Sequence, residues 1–516
     1  MEPRVRQDAE SRPSTLDRGS WQTRLGVVAL PSVVASLLLL ARSAAVPLWR
    51  DEYATAMHAS LSPGELLRAV VTGDAVQVPY YLLIHILSPI LGFEYGMRIV
   101  SMVAVVVATA LVALLAFRWW GALPGTLAGL FFATNVGVIT AGVTARPYAL
   151  MLAALTVAVL TADLASRRAV WWPVFTLASM LAVAMHLLAV LPIAATGLLA
   201  LGRPRSYVVR WGAWTAAPIL LALAVGAIGW TQRDQISWLG RPDLRSATAS
   251  LAKAEGVSLH RAVTFDALGL VVLLTMAALL IVALRRRRPP ASADTWRPVA
   301  LGMALAFIAP GVVLVWSLVF SPLFHERYLV WASIGSALLL GATVWVAREL
   351  DTALARISAA CVLLLVAVSG VGAIMHFADP PQDYDDIPAI TTAIEQSALP
   401  GDVVYVFEHN PHYGIAYAVA AALGDDAMAD DVRGALVSGL STATVRTVEE
   451  VEAVRSRAGA SASADDRTVF IVGVAVTLPE DAEQVAAELG CVSDEDAEMV
   501  IIGGLQLVTM TCSPDR

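Results

Sequence analysis

Eleven apolar runs between Leu25 and residue 375, most of them close to 20 residues long, constrain this chain more than any other feature. A helix of ~20 apolar residues is what crosses the hydrocarbon core of a bilayer, where each backbone N–H and C=O must be satisfied within the segment. The runs fall at 25–46, 95–117, 122–141, 145–165, 170–185, 187–201, 212–230, 262–284, 298–320, 328–347 and 357–375. With 57% hydrophobic and 15% charged residues among 516, the chain carries more apolar surface than one soluble core can cover. A water-soluble globular enzyme is therefore excluded.

Arginines give the orientation. The first 24 residues are polar and contain Arg4, Arg6, Arg12, Arg18 and Arg24. The run that follows is long enough to remain as an uncleaved anchor, with its N-terminal side in the cytoplasm of a plasma-membrane protein. Arg118, the Arg167-Arg168 pair, Arg203 with Arg205 and Arg210, the tetra-arginine Arg285 to Arg288, and Arg348 with Arg356 then fall on that same side. This alternation holds if 78–91 does not cross: at ~14 residues, with Pro79 and Pro89 near its ends and His85 inside it, that stretch suits an interfacial helix.

Eleven crossings put the C-terminal tail outside. From His376 onward there are 25 acidic and 6 basic residues, against 18 acidic and 29 basic before it. The expected organisation is a cytoplasmic tail (1–24), a membrane body (25–375) with an outer loop at 47–94, and an acidic extracytoplasmic α/β domain (376–516). Within that domain, 402–407, 468–476 and 499–510 read as strands and 413–423 and 479–489 as helices. Cys491 and Cys512 fit a disulfide in an oxidising compartment or two buried thiols equally well. Nucleic-acid binding has no support, because the soluble domain is acidic and the arginine clusters are short inside loops. A single lysine, Lys253, among 35 basic residues is the compositional bias of a GC-rich bacterial genome.

Chemistry gathers on the outer side. Trp49-Arg50-Asp51-Glu52-Tyr53 places two adjacent carboxylates just beyond the first run, where ionisable groups are costly unless paired or functional. Arg50 or Arg42 could neutralise them as mere markers of the membrane edge. The stretch from Asp74 through Pro79-Tyr80-Tyr81-Leu82-Leu83-Ile84-His85, the turn Ala145-Arg146-Pro147-Tyr148, and Glu326-Arg327-Tyr328-Leu329 lie on that side too.

In these four motifs and their order the chain resembles the GT-C glycosyltransferases, in particular the bacterial, actinobacterial-type branch related to protein O-mannosyltransferases and the aminoarabinose transferase. Relatives commonly carry a histidine immediately before the proline of the second motif, where this chain has Gln77-Val78. The resemblance implies a polytopic α-helical GT-C fold of about 11 transmembrane helices and an inverting transfer of a sugar, most plausibly mannose, from a polyprenyl-phosphate donor to an extracytoplasmic acceptor hydroxyl. Protein, glycan or glycolipid would serve as acceptor, and membrane lipid as the surrounding partner. It also implies Asp51 as the base, with Glu52 orienting it or the acceptor.

Residue chemistry agrees with such an enzyme. No nucleotide sugar is supplied outside the cytoplasm, so the donor must be lipid-linked, and its phosphate needs positive charge as the sugar departs. Arg98, Arg146 and Arg327 are outer-side arginines that run against the positive-inside trend; guanidinium forks match phosphate oxygens, although arginines near helix ends also snorkel to headgroups. Arg146 and Arg327 are the leading phosphate ligands. Arg98, His58, Tyr80, His85, Tyr148 and Tyr328 are further substrate-binding candidates. His186, at an outer turn, reads as a hydrogen-bonded core residue. No essential metal or cofactor is expected, since Glu408-His409-Asn410-Pro411-His412 lacks the context of a metal motif. The alternative class is a transporter or lipid-linked sugar flippase without transferase activity.

Overall fold

A computed structural model describes residues 21–71, 73–93, 96–236, 238–259, 263–286, 293–347, 352–378 and 386–397, and in the tail 403–406, 415, 417–419, 444–447, 467–474, 498–502 and 505–512. The helices are α1 (Trp21–Ala45), α2 (Arg50–Ser60), α3 (Pro63–Ala69), α4 (Val78–Leu91), α5 (Gly96–Trp120), α6 (Ala122–Thr134), α7 (Val136–Val143), α8 (Tyr148–Ala165), α9 (Trp171–Met185) and α10 (Val190–Ala195). They continue with α11 (Arg205–Thr231), α12 (Leu244–Glu255), α13 (Val263–Arg286), α14 (Ala293–Met303), α15 (Ala309–Val319), α16 (Glu326–Leu329), α17 (Ala332–Ala347), α18 (Thr352–Ala378) and α19 (Ile387–Ser397).

Among the described residues, seven helices are long and apolar enough to cross a membrane, or eight if α6 and α7, bent by 60° at one break, form one span. All eleven apolar runs are helical. Three of them, Trp171–Met185, Leu187–Ala200 and Ala332–Ala347, are only 10–17 residues long. At 1.5 Å per residue such helices reach at most ~26 Å, short of a ~30 Å hydrocarbon core. On length, seven or eight of the eleven expected crossings qualify. The stretch expected to lie in the interface is α4, 14 residues long and packed against α2 and α5.

Local chemistry explains the breaks. At the α6/α7 bend the Asn135 side chain accepts a hydrogen bond from Val138 N–H (3.2 Å), capping α7, and donates to the Ala254 carbonyl at the end of α12 (3.1 Å). A capping residue that turns outward to a third helix stops α6 and restarts the chain in a new direction. Between α14 and α15 a π-helical turn, Ala304–Ile308, lies against α17. There Gly335 allows the contact, because a Cβ at that position would stand 2.5 Å from Ala306 N. Small residues at such crossings let backbones approach, which is how helices gain packing in lipid.

In the tail, β1 (Val403–Val406), β2 (Thr444–Thr447), β3 (Arg467–Val474), β4 (Glu498–Ile502) and β5 (Leu505–Cys512) form a sheet of order β2-β1-β3-β5-β4. β1 and β3 run parallel and the other neighbours antiparallel. Alternate β1 residues Val404 and Val406 are buried, as the two-residue period of a one-sided sheet requires. The strands near 402, 468 and 499–510 match the sequence expectation, whereas β2 and α19 were not expected. The helix expected at 479–489, the 408–412 cluster and Cys491 lie outside the described residues.

Candidate active site

Three short connections converge at one end of the helical body: the start of α2, the turn between α7 and α8, and α16. The first turn of α2 carries Asp51 and Glu52, where the helix dipole favours negative charge. Successive helix residues point about 100° apart, so the two adjacent acids face different surroundings.

Glu52 points inward. Its carboxylate accepts from Arg98 Nε (2.8 Å) and Nη2 (2.6 Å), and both side chains have 0% exposure. It also accepts from Ala145 N–H (2.9 Å) and, at 3.4 Å, from Trp49 N–H. Arg98 spends its remaining donors on the carbonyls of Ser43, Val46 and Pro47 (2.7–3.2 Å). This pair thus ties the end of α1, the start of α2, α5 and the Arg146 turn together, with both side chains fully buried. The turn is held further by Thr55 and Ser101, whose hydroxyls donate to the carbonyls of Ala145 (3.1 Å) and Arg146 (3.4 Å).

Asp51 points the other way, with its side chain 20% exposed. Its Oδ2 lies 3.3 Å from Arg146 Nη2 and 3.2 Å from Arg327 Nη1. One carboxylate oxygen is therefore clamped between two guanidinium groups from distant parts of the chain. Arg146 Nη1 also donates to the Tyr81 hydroxyl (3.2 Å), which in turn donates to Asp74 Oδ2 (2.8 Å). Arg146 Nε is buried and has no hydrogen-bond partner among the described residues. Burial opposes the charge on Arg146, but Asp51, Tyr81 and Asp74 outweigh it and raise its pKa well above the ordinary value.

Arg327 lies between aromatic faces, 5.0 Å from the Trp49 ring and 5.5 Å from that of Trp238. Its pKa is also raised: burial opposes this, and Tyr148 and Asp51 override it. Beside it, burial would raise Glu326, yet His325 and Lys253 lead the charges that bring it down to about 2. Lys253 Nζ is 3.4 Å from Glu326 Oε1, and Ser250 donates to the same carboxylate (3.3 Å). The chain's single lysine thereby fixes α12 to α16. A neighbouring aromatic group joins Tyr148, His186 and Tyr328, with centroid distances of 5.3–6.3 Å.

The other sequence candidates are placed as follows. His58 and His85 direct Nδ1 at the α2 carbonyls of Ala54 (2.7 Å) and Ala59 (2.8 Å), so Nδ1 carries the proton in each. His58 also stacks on Tyr81 at 4.5 Å. Tyr80 is fully buried, and its neighbour Tyr81 is the one that contacts Arg146. Sequence reasoning missed Asp74 and Tyr81 as a pair, because Asp74 precedes α4 in a left-handed conformation (φ 59) and no helical spacing links the two residues. It also missed Trp49 and Trp238. Gln232 and Gln235 were missed as well; they bind the backbone at Val70, Asp74 and Ala75 and so hold the segment between α3 and α4 to the end of α11. No group of three or more His, Cys, Asp or Glu side chains placed to hold a metal ion occurs among the described residues. Next to α4 an apolar groove of about 450 Å³ runs along Leu83, Leu87 and Leu91, opposite Ile99 and Val103 of α5 and Leu150 of α8.

Among the described residues, seven or eight helices of crossing length make this a polytopic membrane protein by length and composition. The similar solved structures include ArnT from Cupriavidus metallidurans bound to undecaprenyl phosphate, at TM-score 0.50 and 12% identity over 94% of this chain and 98% of that one. The apo crystal structure of the same protein aligns at TM-score 0.40 and 14% identity over 94% and 97%. At such identities the likeness speaks to fold alone. No protein-family model and no curated protein matches the chain.

Proposed function

We propose that the protein is an inverting glycosyltransferase that moves a sugar, mannose in our reading, from a polyprenyl-phosphate carrier to a hydroxyl on an extracytoplasmic acceptor. The observation that carries this reading is the clamp on Asp51 by Arg146 and Arg327. A donor phosphate entering there replaces the carboxylate as partner of both guanidinium groups, and Arg146 Nε supplies a further donor. Asp51, released from the arginines, accepts the acceptor's proton as the acceptor oxygen bonds to the anomeric carbon. The bond from that carbon to the phosphate oxygen breaks in the same displacement, and the arginines neutralise the departing polyprenyl phosphate.

In this reading Glu52 and Arg98 are positioning residues, Tyr81 and Asp74 hold Arg146, and Tyr148, Tyr328 and His186 form the wall against which the sugar packs. The apolar groove beside α4 offers the first prenyl units a path into lipid. In the same reading the Asp51 end faces outward, which the arginine distribution over the loops supports, and the acidic tail beyond α18 is an outer α/β domain. Membranes from a deletion strain, complemented with wild type or Asp51→Asn, are supplied with polyprenyl-phosphate [14C]mannose. Transfer restored by wild type and absent with equally abundant Asp51→Asn is expected; equal transfer by both removes Asp51 from the chemistry.

A further inference from the structure

A second charged cavity, of about 370 Å³, opens at the opposite end of the helical body. Arg98 stands in the first turn of α5 and Arg118 in its last, so the two ends lie ~30 Å apart along that helix. Four arginines line this cavity, Arg118 of α5, Arg167 just after α8, Arg203 just before α11 and Arg297 of α14, against two carboxylates, Asp163 and Asp294. Loop arginines placed only to set orientation need no cavity, yet the side chains of Arg118 and Arg297 are just 8% and 7% exposed.

The acids orient the arginines without neutralising them. Asp163 accepts from Arg118 Nη2 (2.9 Å) and Trp119 Nε1 (3.3 Å). Asp294, its side chain 76% exposed, is shared by Arg297 and by Arg203 at 3.6 Å. Two positive charges remain in surplus. Arg167 forms no ion pair among the described residues, and the buried Nε atoms of Arg118 and Arg203 have no hydrogen-bond partner among them either. Trp119, Trp120 and Trp345 border the same cavity, and tryptophan belongs at the level of lipid headgroups.

We propose that this cavity binds the phosphate of an anionic membrane phospholipid. Guanidinium forks from several helices match a phosphodiester in charge and geometry, and the tryptophans set the depth at which a headgroup lies. Bound there, the lipid would bridge α5, α8, α11 and α14. The assignment is independent of the reaction proposed for the other end.

Native mass spectrometry of the detergent-solubilised full chain tests this, with dilauroyl phosphatidylglycerol, dilauroyl phosphatidylcholine and sn-glycerol 3-phosphate as probes. Wild type is expected to retain one phosphatidylglycerol at least tenfold more tightly than phosphatidylcholine. Arg203→Gln and the exposed Arg167→Gln should each weaken that retention about tenfold, while Arg233→Gln, at the other end of α11, should not. Failure of millimolar glycerol phosphate to displace the lipid supports a headgroup site. Equal binding of glycerol phosphate would keep the phosphate site but reassign its occupant to a soluble phosphate ester, overturning the lipid. Equal retention of both lipids, or no effect of either arginine variant, overturns the proposal entirely.

Discussion

Replacing Glu52 by glutamine separates a positioning acid from a reacting one. Both members of the Glu52–Arg98 pair have 0% exposure, and the carboxylate accepts four hydrogen bonds, two of them from Arg98 at 2.6 and 2.8 Å. Removing one partner of such a buried pair costs about 3–5 kcal/mol, because the other charge is left uncompensated. Glutamine keeps the size and one acceptor oxygen but turns an NH2 group toward a guanidinium donor, which places the loss near 3 kcal/mol. At 1.36 kcal/mol per factor of ten, the folded-to-unfolded ratio falls about 150-fold. Size-exclusion fluorescence after graded heating in detergent reads this as a lowered midpoint. Transfer activity, normalised to folded protein, should stay within a few-fold of wild type, whereas Asp51→Asn abolishes it. The reasoning is refuted if the Glu52→Gln midpoint is unchanged while transfer disappears, since Glu52 would then act on the substrate. An Arg98→Met, Glu52→Leu double variant should recover part of the lost midpoint by removing both charges together.

Trp238→Ala, at a half-exposed position, removes one of two aromatic faces from Arg327, worth about 0.5–2 kcal/mol; KM for the lipid-linked donor should rise roughly 2- to 30-fold with kcat unchanged, and unaltered KM counts against Arg327 as a phosphate ligand. Glu326, held near pKa 2 against an ordinary 4.5, stabilises α16 above pH 4.5 and loses that contribution as pH falls toward 2. The midpoint difference between wild type and Glu326→Gln should accordingly be full at pH 7 and vanish near pH 2. Gly256→Ala forces φ +75 on a residue with a Cβ and brings that carbon 2.6 Å from Asn135 Nδ2. A cost of about 1–3 kcal/mol should appear as a lower thermal midpoint and faster proteolysis near the α6/α7 bend, and an unchanged midpoint would show that the bend does not depend on this contact.

Hydropathy was enough to read a multi-helix membrane body, the approximate bounds of its helices, and the shortness of α4, because the length of an apolar run is a property of the segment itself. Several strands of the tail were legible for the same reason: alternation and β-branched content are local. Asp51, Glu52, Arg146 and Arg327 were named from motifs, but their division of labour was not. Nothing in Asp51-Glu52 as a dipeptide says which acid turns toward Arg98 and which toward Arg146 and Arg327; that depends on how α2 rotates against α5 and α8. Arg98 looked like one more outer arginine, and burial made it a structural tie. Lys253 looked like a remnant of composition, and the fold set it against Glu326 across 73 residues. The four arginines of the pocket at the far end are scattered along the sequence until packing brings them together. Segment length and polarity are written along the chain, whereas partnership between side chains tens or hundreds of residues apart exists only once the helices have packed.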